Sequence, residues 1–241
     1  MNVVTVYARL YADCLAKALA GIRKNPWTLL LPVGLVFVGT SLGALLGGVL
    51  GSLVGGLLVS LLLDALYSAY LYFVAGVVQQ TKVSVKEIRQ GLGAYFFSIM
   101  NVLFVIYLTD LVLGTVLQGN PQRWVIESGV KLVEAVLFSA VPEVLYQRHT
   151  YGMQSLLESV KFVQENWIEW FLPQGLLLAA VYAVGTVALG SGLGLLLVIG
   201  PGSLLGGALL HLFMVFRGHL FDALATTSHR QRMFRYRGLS P

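Results

Sequence analysis

The hydrophobic pattern of the chain begins with one long apolar run. From Trp27 to Val78 the sequence contains a single charged side chain, Asp64. A bilayer core about 30 Å thick is crossed by about 20 helical residues, so this run is long enough to cross a membrane twice. The pattern therefore predicts an all-α membrane protein whose first two spans cover residues 27–47 and 52–78.

Further apolar stretches predict four more spans. They cover residues 94–117, 124–146, 167–190 and 196–221. The stretch 124–146 is the most polar of these, and it contains Pro142 near its end. Two structures remain open for it, a full crossing and an interfacial or re-entrant segment. A full crossing gives six spans and places both chain ends on the same side of the membrane.

Two amphipathic segments each precede a pair of spans. In residues 3–24, apolar side chains recur at three- and four-residue steps from Val3 to Ile22, and residues 150–166 show the same pattern. Helices of this kind lie in the membrane interface with the apolar face toward lipid. We therefore expect two interfacial helices within a single transmembrane bundle that covers residues 1–221.

An internal repeat relates the two amphipathic segments and the spans that follow them, at an offset of 141 residues. Asn25 aligns with Asn166, and the Leu-Pro-x-Gly-Leu sequence at 31–35 aligns with the one at 172–176. Asn is a favoured residue at a helix start, where an interfacial helix has to turn into a spanning one. Both copies enter the membrane from the same side, so the predicted repeat is partial and parallel, whereas many transporters contain inverted repeats.

Composition and charge agree with a membrane environment and indicate an orientation. Only 11% of the 241 residues are charged and 57% are hydrophobic, whereas soluble domains contain about 25% charged residues. With the N-terminus in the cytoplasm, every Lys and Arg except Arg123 and Lys131 lies on the cytoplasmic side, as the positive-inside rule requires. We therefore expect cytoplasmic N- and C-termini and no nucleic-acid partner for the net charge of +5.

Five charged residues lie within the predicted spans and away from the cytoplasmic ends of those spans. They are Asp64, Asp110, Glu127, Lys131 and Glu134. Charges at this depth are costly and usually face partners. Asp110 and Lys131 are placed symmetrically about the turn at 118–123, so we predict an ion pair between them. Two roles remain open for the whole set, which are pairs that fix helix packing and a pathway for protons or ions.

Glycine recurs at every fourth position across the first two predicted spans. The stripe consists of Gly39, Gly43, Gly47, Gly51 and Gly55. Small residues at this spacing let two helix backbones approach closely. We expect the stripe to pack the first span on the second, and a glycine-zipper oligomer or pore is the alternative.

His211 is the one histidine well inside a predicted span. Gly206 and Gly207 precede it by about one helical turn and would leave room for a flat macrocycle. Haem or pigment ligation by His211 is therefore a minor alternative, because the sequence has no second histidine at that depth. We expect neither a bound cofactor nor a metal site.

The segment after the last predicted span, residues 222–241, is a basic cytoplasmic tail in which cations alternate with aromatic residues. Its candidate docking residues are Arg230, Arg232, Arg235 and Arg237. Basic residues next to a membrane helix bind anionic lipid headgroups, at about 1 kcal/mol each. We expect the tail to bind anionic headgroups or another membrane protein subunit.

The sequence contains no enzyme signature of the common kinds, so we do not expect an enzyme. Lys-Asn-Pro-Trp at 24–27, Glu-Asn-Trp at 165–167 and the Leu-Pro pairs resemble several uncharacterised bacterial multipass families. These include the membrane domain fused to some glycerophosphodiester phosphodiesterases. The resemblance implies the bacterial inner membrane and brings no catalytic residues.

Three functions follow from these observations as expectations. The first is a non-enzymatic structural or accessory role, as a subunit or partner of a larger membrane complex. The second is a small-solute or ion transporter or channel that uses the intramembrane carboxylates. The third is a haem- or pigment-binding membrane subunit.

Overall fold

The computed structural model describes residues 3–50, 52–190, 201–228 and 230–232, with side chains for 5–48, 54–179, 202–228 and 230–232. This part of the chain is helical and contains no strand. The helices are α1 Val3–Lys24, α2 Leu31–Leu50, α3 Ser52–Val78, α4 Ile88–Ala94, α5 Phe96–Val116, α6 Arg123–Leu137, α7 Val141–Arg148, α8 Met153–Gly190 and α9 Pro201–Thr226. Two short 3₁₀ turns, Pro26–Leu30 and Val85–Glu87, precede α2 and α4.

Four helices of the described residues are long and apolar enough to cross a membrane, which indicates a membrane protein. The segments are Pro26–Gly48, Val54–Val78, Phe96–Val116 and Gly202–Thr226. They coincide with four of the predicted spans. The predicted span 167–190 lies within α8, whose side chains are described only as far as residue 179, and the start of the span 196–221 lies outside the described residues, so a count of six stays a prediction.

The predicted span 124–146 is not one continuous helix. Helix α6 ends at Leu137, and α7 begins at Val141 after a three-residue break. Pro142 lies in the first turn of α7, where a missing backbone N–H is tolerated, but proline cannot continue a helix from the residues before it. The expectation of one unbroken crossing is therefore corrected, and the interfacial or re-entrant alternative remains open.

Two asparagines interrupt the helices where amphipathic sequence changes to apolar sequence. Asn25 separates α1 from the following turn with φ −135° and ψ 58°, and Asn166 kinks α8 with φ −131° and ψ 22°. Each side-chain amide donates to the carbonyl four residues earlier, at 3.4 Å for Gly21 and 3.1 Å for Phe162. In this way an Asn side chain competes with backbone N–H groups for a helical carbonyl. The local sequence therefore accounts for both interruptions, which we call the joints.

Helix α1 buries its apolar face in protein. Val6, Leu10, Cys14 and Ala18 are all buried, and the helix packs against α9 and α3. Burial raises the pKa of the Cys14 thiol to about 12, with the neighbouring Asp13 adding to the shift. The face that the amphipathic pattern assigns to lipid is thus part of the core, because tertiary packing offers the same apolar environment.

The bundle is packed at one end and open at the other. In α3 the large buried side chains lie between Leu66 and Val77, and in α9 they lie between His211 and Leu224. The opposite halves of the same helices expose large apolar side chains. These are Val54, Leu57, Leu58 and Leu63 in α3 and Leu204, Leu205, Leu209 and Leu210 in α9. We call these the packed end and the open end; by charge, the packed end is the predicted cytoplasmic one.

The glycine stripe lies mainly at the contact between α2 and α3. A Cβ atom on Gly39 would lie 3.2 Å from Leu63 Cδ2, and one on Gly43 would lie 3.5 Å from Val59 Cγ1. A Cβ atom on Gly55 would lie 3.1 Å from the Cα atom of Gly47, which itself has open space. Gly51 lies outside the described residues. These contacts agree with packing of α2 on α3, and the zipper oligomer stays a prediction.

Gly21, which the stripe does not include, lies where α1 approaches the backbone of α3 closely. A Cβ atom there would lie 2.6 Å from the Val77 carbonyl oxygen, whereas one on Gly34 in α2 meets nothing within 4 Å. We expect Gly21→Ala to lower the free energy of unfolding by about 1–3 kcal/mol, because backbone must move. Gly34→Ala is the matched control and should gain up to about 1 kcal/mol in helix propensity.

Denaturant titration of the detergent-solubilised protein, followed by circular dichroism, measures both changes. Equal effects of the Gly21 and Gly34 variants would contradict the close approach of α1 and α3.

Candidate functional site

A buried ion pair joins α7 to α9 at the packed end. Glu143 lies in the first turn of α7 and is 0% exposed. Arg217 of α9 donates from Nη2 to its Oε2 at 3.0 Å. The positive end of the α7 dipole also favours a carboxylate at this position. Each of these buried charges requires the other as its partner, because an unpaired buried charge destabilises the fold by several kcal/mol.

Arg217 also holds the break between α6 and α7. The same Nη2 donates to the Ser139 carbonyl oxygen, and the Ser159 hydroxyl of α8 donates to the Leu137 carbonyl oxygen at 2.8 Å. Carbonyls freed at a helix end need partners. Non-helical backbone at membrane depth is tolerated where protein surrounds it. Side chains of α8 and α9 therefore supply what the interrupted helix lacks.

Trp170 completes the support of the break from α8. It is fully buried, and the Arg217 guanidinium lies 4.9 Å from the centroid of its ring. Its indole Nε1 donates to the Ser139 hydroxyl at 3.0 Å. A guanidinium over an aromatic face is attracted by the ring quadrupole, most strongly when water is excluded. Arg217 is therefore fixed by a carboxylate, a carbonyl and a ring.

Tyrosines and His211 extend this polar region toward α3. The phenols of Tyr67 and Tyr70 lie within electrostatic reach of Glu143 and Arg217. The Tyr70 ring meets the His211 ring edge-to-face, with centroids 5.9 Å apart. Among the described residues, neither ring nitrogen of His211 has a hydrogen-bond partner, and the Tyr70 hydroxyl has none either. Buried polar atoms usually have one, so this region is unusual within the core.

The structure does not support the space proposed for a macrocycle beside His211. A Cβ atom on Gly207 would lie 2.5 Å from Val33 Cγ2, so α2 fills the position that this glycine vacates. Gly206 has nothing within 4 Å. The predicted role of glycine here is therefore corrected for Gly207, where close packing of α9 on α2 is the reason for the small residue.

Asp64 is buried on α3. No ion-pair partner for it is found among the described side chains. The predicted pair of Asp110 with Lys131 is present, because Lys131 Nζ lies 3.8 Å from Asp110 Oδ2. Glu127 instead pairs with Arg123 on its own helix, at 2.7 Å. The intramembrane set is thus divided between the interior and one face.

Asp110, Lys131 and Glu134 form what we call the α5–α6 charge patch. They line an open cavity of about 320 Å³ whose apolar wall includes Ile106 and Phe138. The Lys131 and Asp110 side chains are 63% and 41% exposed. The patch therefore joins two helices and remains accessible from outside the chain.

Arg232 does not belong to an exposed docking surface. It is only 4% exposed, and its guanidinium donates to the Asn166 side-chain oxygen at 3.2 Å and to the Glu169 carboxylate at 3.4 Å. The prediction that Arg232 binds headgroups is corrected for this reason. Arg230 is exposed, whereas Arg235 and Arg237 lie outside the described residues.

The Glu143–Arg217 pair is the feature that sequence reasoning missed. From the sequence, Arg217 is placed among the cytoplasmic cations and no partner is assigned to it. The available signal was the position of Arg217 inside the predicted span 196–221, since a cation there needs a partner.

No protein-family model, curated protein or solved structure matches the chain.

Proposed function

We propose that this chain is a non-enzymatic accessory protein of the bacterial inner membrane, which acts as a subunit or partner of a larger membrane complex. The observation that carries the proposal is the open end of the bundle. There the outer halves of α3, α5 and α9 expose large apolar side chains, while the core is confined to the packed end. Apolar surface of this extent fits helices of another membrane protein as well as lipid.

The buried charges support a structural role. Glu143 with Arg217 and Glu169 with Arg232 each connect two segments of the packed end. Both cations are also bonded to backbone carbonyls. Buried charges that already have these partners hold the helices in a fixed arrangement. They are not accessible to a transported solute.

The proposed topology has six spans, a parallel repeat and cytoplasmic termini. The two joints at Asn25 and Asn166 support the repeat, because they share backbone conformation and side-chain bonding. Tyr70 and His211, which are in ring contact, are also separated by the offset of 141. The charge distribution supports cytoplasmic termini, with the exposed tail residue Arg230 available to anionic lipid.

Site-specific photo-crosslinking in native membranes tests the accessory role. A photoreactive residue at Leu57, exposed at the open end, should give a discrete adduct with another protein that mass spectrometry identifies. The matched control is Val85, which is equally exposed in the turn before α4. Lipid adducts alone at Leu57, in membranes of a cell that expresses the protein naturally, would contradict the proposal.

A transporter or channel for a small solute or ion is the second candidate. One observation favours it, which is the cavity that reaches Glu134 beside an interrupted helix. Transporter sites often form where membrane helices are discontinuous. Proton flux into liposomes that contain the purified protein and a pH-sensitive dye tests this candidate. Flux that is abolished in Glu134→Gln and retained in the control Glu127→Gln would favour it over the accessory role.

A further inference from the structure

A polar cavity of about 380 Å³ lies between α8 and the end of α9. Its wall includes Asn166, the joint at which α8 changes from amphipathic to apolar sequence. The next residue, Trp167, is 61% exposed, and exposed tryptophan is enriched at the level of lipid headgroups. We therefore place this cavity, which we call the interface cavity, at headgroup depth on the predicted cytoplasmic side.

The charges around the interface cavity leave one cation and one anion for a ligand. Two of its three cations, Arg148 and Arg232, are each paired with a carboxylate at 3.4 Å. Lys161 and Glu165 also line the cavity and are exposed. Among the described side chains neither has an ion-pair partner. Their spacing along α8 places their Cβ atoms about 6 Å apart, so the cavity presents two opposite charges one helical turn apart.

The end of α9 provides hydrogen-bonding groups on the same wall. Thr226, Thr227 and Ser228 line the cavity. The two threonine hydroxyls donate to carbonyls of their own helix, so their oxygens remain able to accept. The negative end of the α9 dipole also favours a cation here. Arg232 adds a buried Nε that has no hydrogen-bond partner among the described residues, which is unusual for a buried polar atom.

An apolar groove of about 480 Å³ is lined by deeper turns of the same two helices and by α1. Its wall includes Pro173 and Leu176 of α8, Phe213 and Phe216 of α9, and Leu15 of α1. Pro173 follows the joint by seven residues, which is about 10 Å along a helix axis. One acyl chain extends about 15 Å, half of the bilayer core. A lipid whose headgroup occupies the interface cavity therefore has chains long enough to reach the groove.

We propose that the interface cavity and the apolar groove together bind a membrane phospholipid with a phosphoethanolamine headgroup. Lys161 contacts the phosphate, whereas Glu165 and the end of α9 accept hydrogen bonds from the primary ammonium. Two carbons link the phosphate to the amine in this headgroup, so its charges match a cation and an anion one helical turn apart. The proposal goes beyond the accessory function and holds with or without a protein partner.

Lipid binding to the delipidated protein in detergent tests the site, with bound lipid counted by native mass spectrometry. The probes are phosphatidylethanolamine, phosphatidylcholine and phosphatidylglycerol with identical acyl chains. We expect phosphatidylethanolamine to bind at least tenfold more tightly than the other two, because a trimethylated amine cannot donate to Glu165 and phosphatidylglycerol has no amine. Lys161→Gln and Glu165→Gln should each lower the affinity for phosphatidylethanolamine about tenfold, since each removes a charge-assisted hydrogen bond.

Lys17→Gln is the matched control for these variants. Lys17 is exposed on α1, where it pairs with Asp13 at 3.0 Å, and this substitution should leave lipid affinity unchanged. Circular dichroism should show the same helix content in all variants, because the replaced side chains are exposed. Equal affinity for the three lipids would overturn the proposal, and so would unchanged affinity in both Lys161→Gln and Glu165→Gln. A preference for phosphatidylglycerol would indicate a site for anions and would also overturn it.

Competition by a soluble headgroup tests whether the ligand is a lipid. Glycerophosphoethanolamine carries the same phosphate and amine without acyl chains. We expect it to displace phosphatidylethanolamine only at concentrations at least a hundredfold higher than those of the lipid itself, because it leaves the apolar groove unfilled. Equally effective competition by the soluble compound would show that the groove contributes nothing and would overturn the assignment to a membrane lipid.

Discussion

Replacement of Arg217 by methionine is expected to lower the free energy of unfolding by about 3–5 kcal/mol. The variant leaves Glu143 fully buried without the guanidinium that faces it at 3.0 Å. It also removes the donor to the Ser139 carbonyl and the cation over Trp170. Methionine fills most of the volume of the Arg217 side chain, so the loss of stability comes from the missing charge rather than from a cavity. Denaturant unfolding of the purified protein in detergent measures it.

The control for this variant is an exposed pair of the same type. Arg123→Met breaks the ion pair with Glu127, in which both side chains are partly exposed, and should change stability by at most about 1 kcal/mol. A double variant, Arg217→Met with Glu143→Leu, should recover much of the loss, because an apolar pair replaces an uncompensated charge. Equal effects at Arg217 and Arg123 would show that the buried pair contributes little.

Replacement of Arg232 by methionine is expected to lower the free energy of unfolding by about 3 kcal/mol. Its guanidinium connects the segment after α9 to Asn166 and Glu169 of α8. The variant takes one cation away from the buried Glu169 carboxylate, which also accepts a hydrogen bond from the Tyr7 hydroxyl at 3.4 Å. Arg232 also donates to the Leu224 and Thr227 carbonyls. Denaturant unfolding of the purified protein in detergent measures this change as well.

Arg230, two residues earlier, is the matched control for Arg232. It is exposed, and Arg230→Met should change stability by about 0.5 kcal/mol or less. Binding of the protein to vesicles that contain anionic lipid should show the opposite order, because Arg230 alone of the two is accessible. A loss of vesicle binding in Arg232→Met without a loss of stability would restore the headgroup role predicted from sequence.

Local features of the fold were predictable because their causes are local. Apolar length predicts the four segments that are able to cross a membrane. The joints at Asn25 and Asn166 follow from a side chain that competes with the backbone. The Asp110–Lys131 pair was predictable as well, because a short turn fixes the relative heights of two adjacent helices.

The break within residues 124–146 could be predicted only in part from the sequence. Pro142 indicates an interruption, yet the length of apolar sequence around it favours a continuous crossing. Whether a chain breaks there depends on partners for the freed carbonyls. Those partners are Ser159 and Arg217, from segments that are distant in sequence.

The sequence by itself determined most of the helical segments and which of them are long and apolar enough to cross a membrane, because these depend on residue type and short-range spacing. Only the tertiary structure decided that the apolar face of α1 belongs to the core and that Arg232 points inward. It also decided that Glu143 meets Arg217, 74 residues away. The physical reason is that burial of a charge is favourable only with its partner in place, and that partner is chosen by packing between helices.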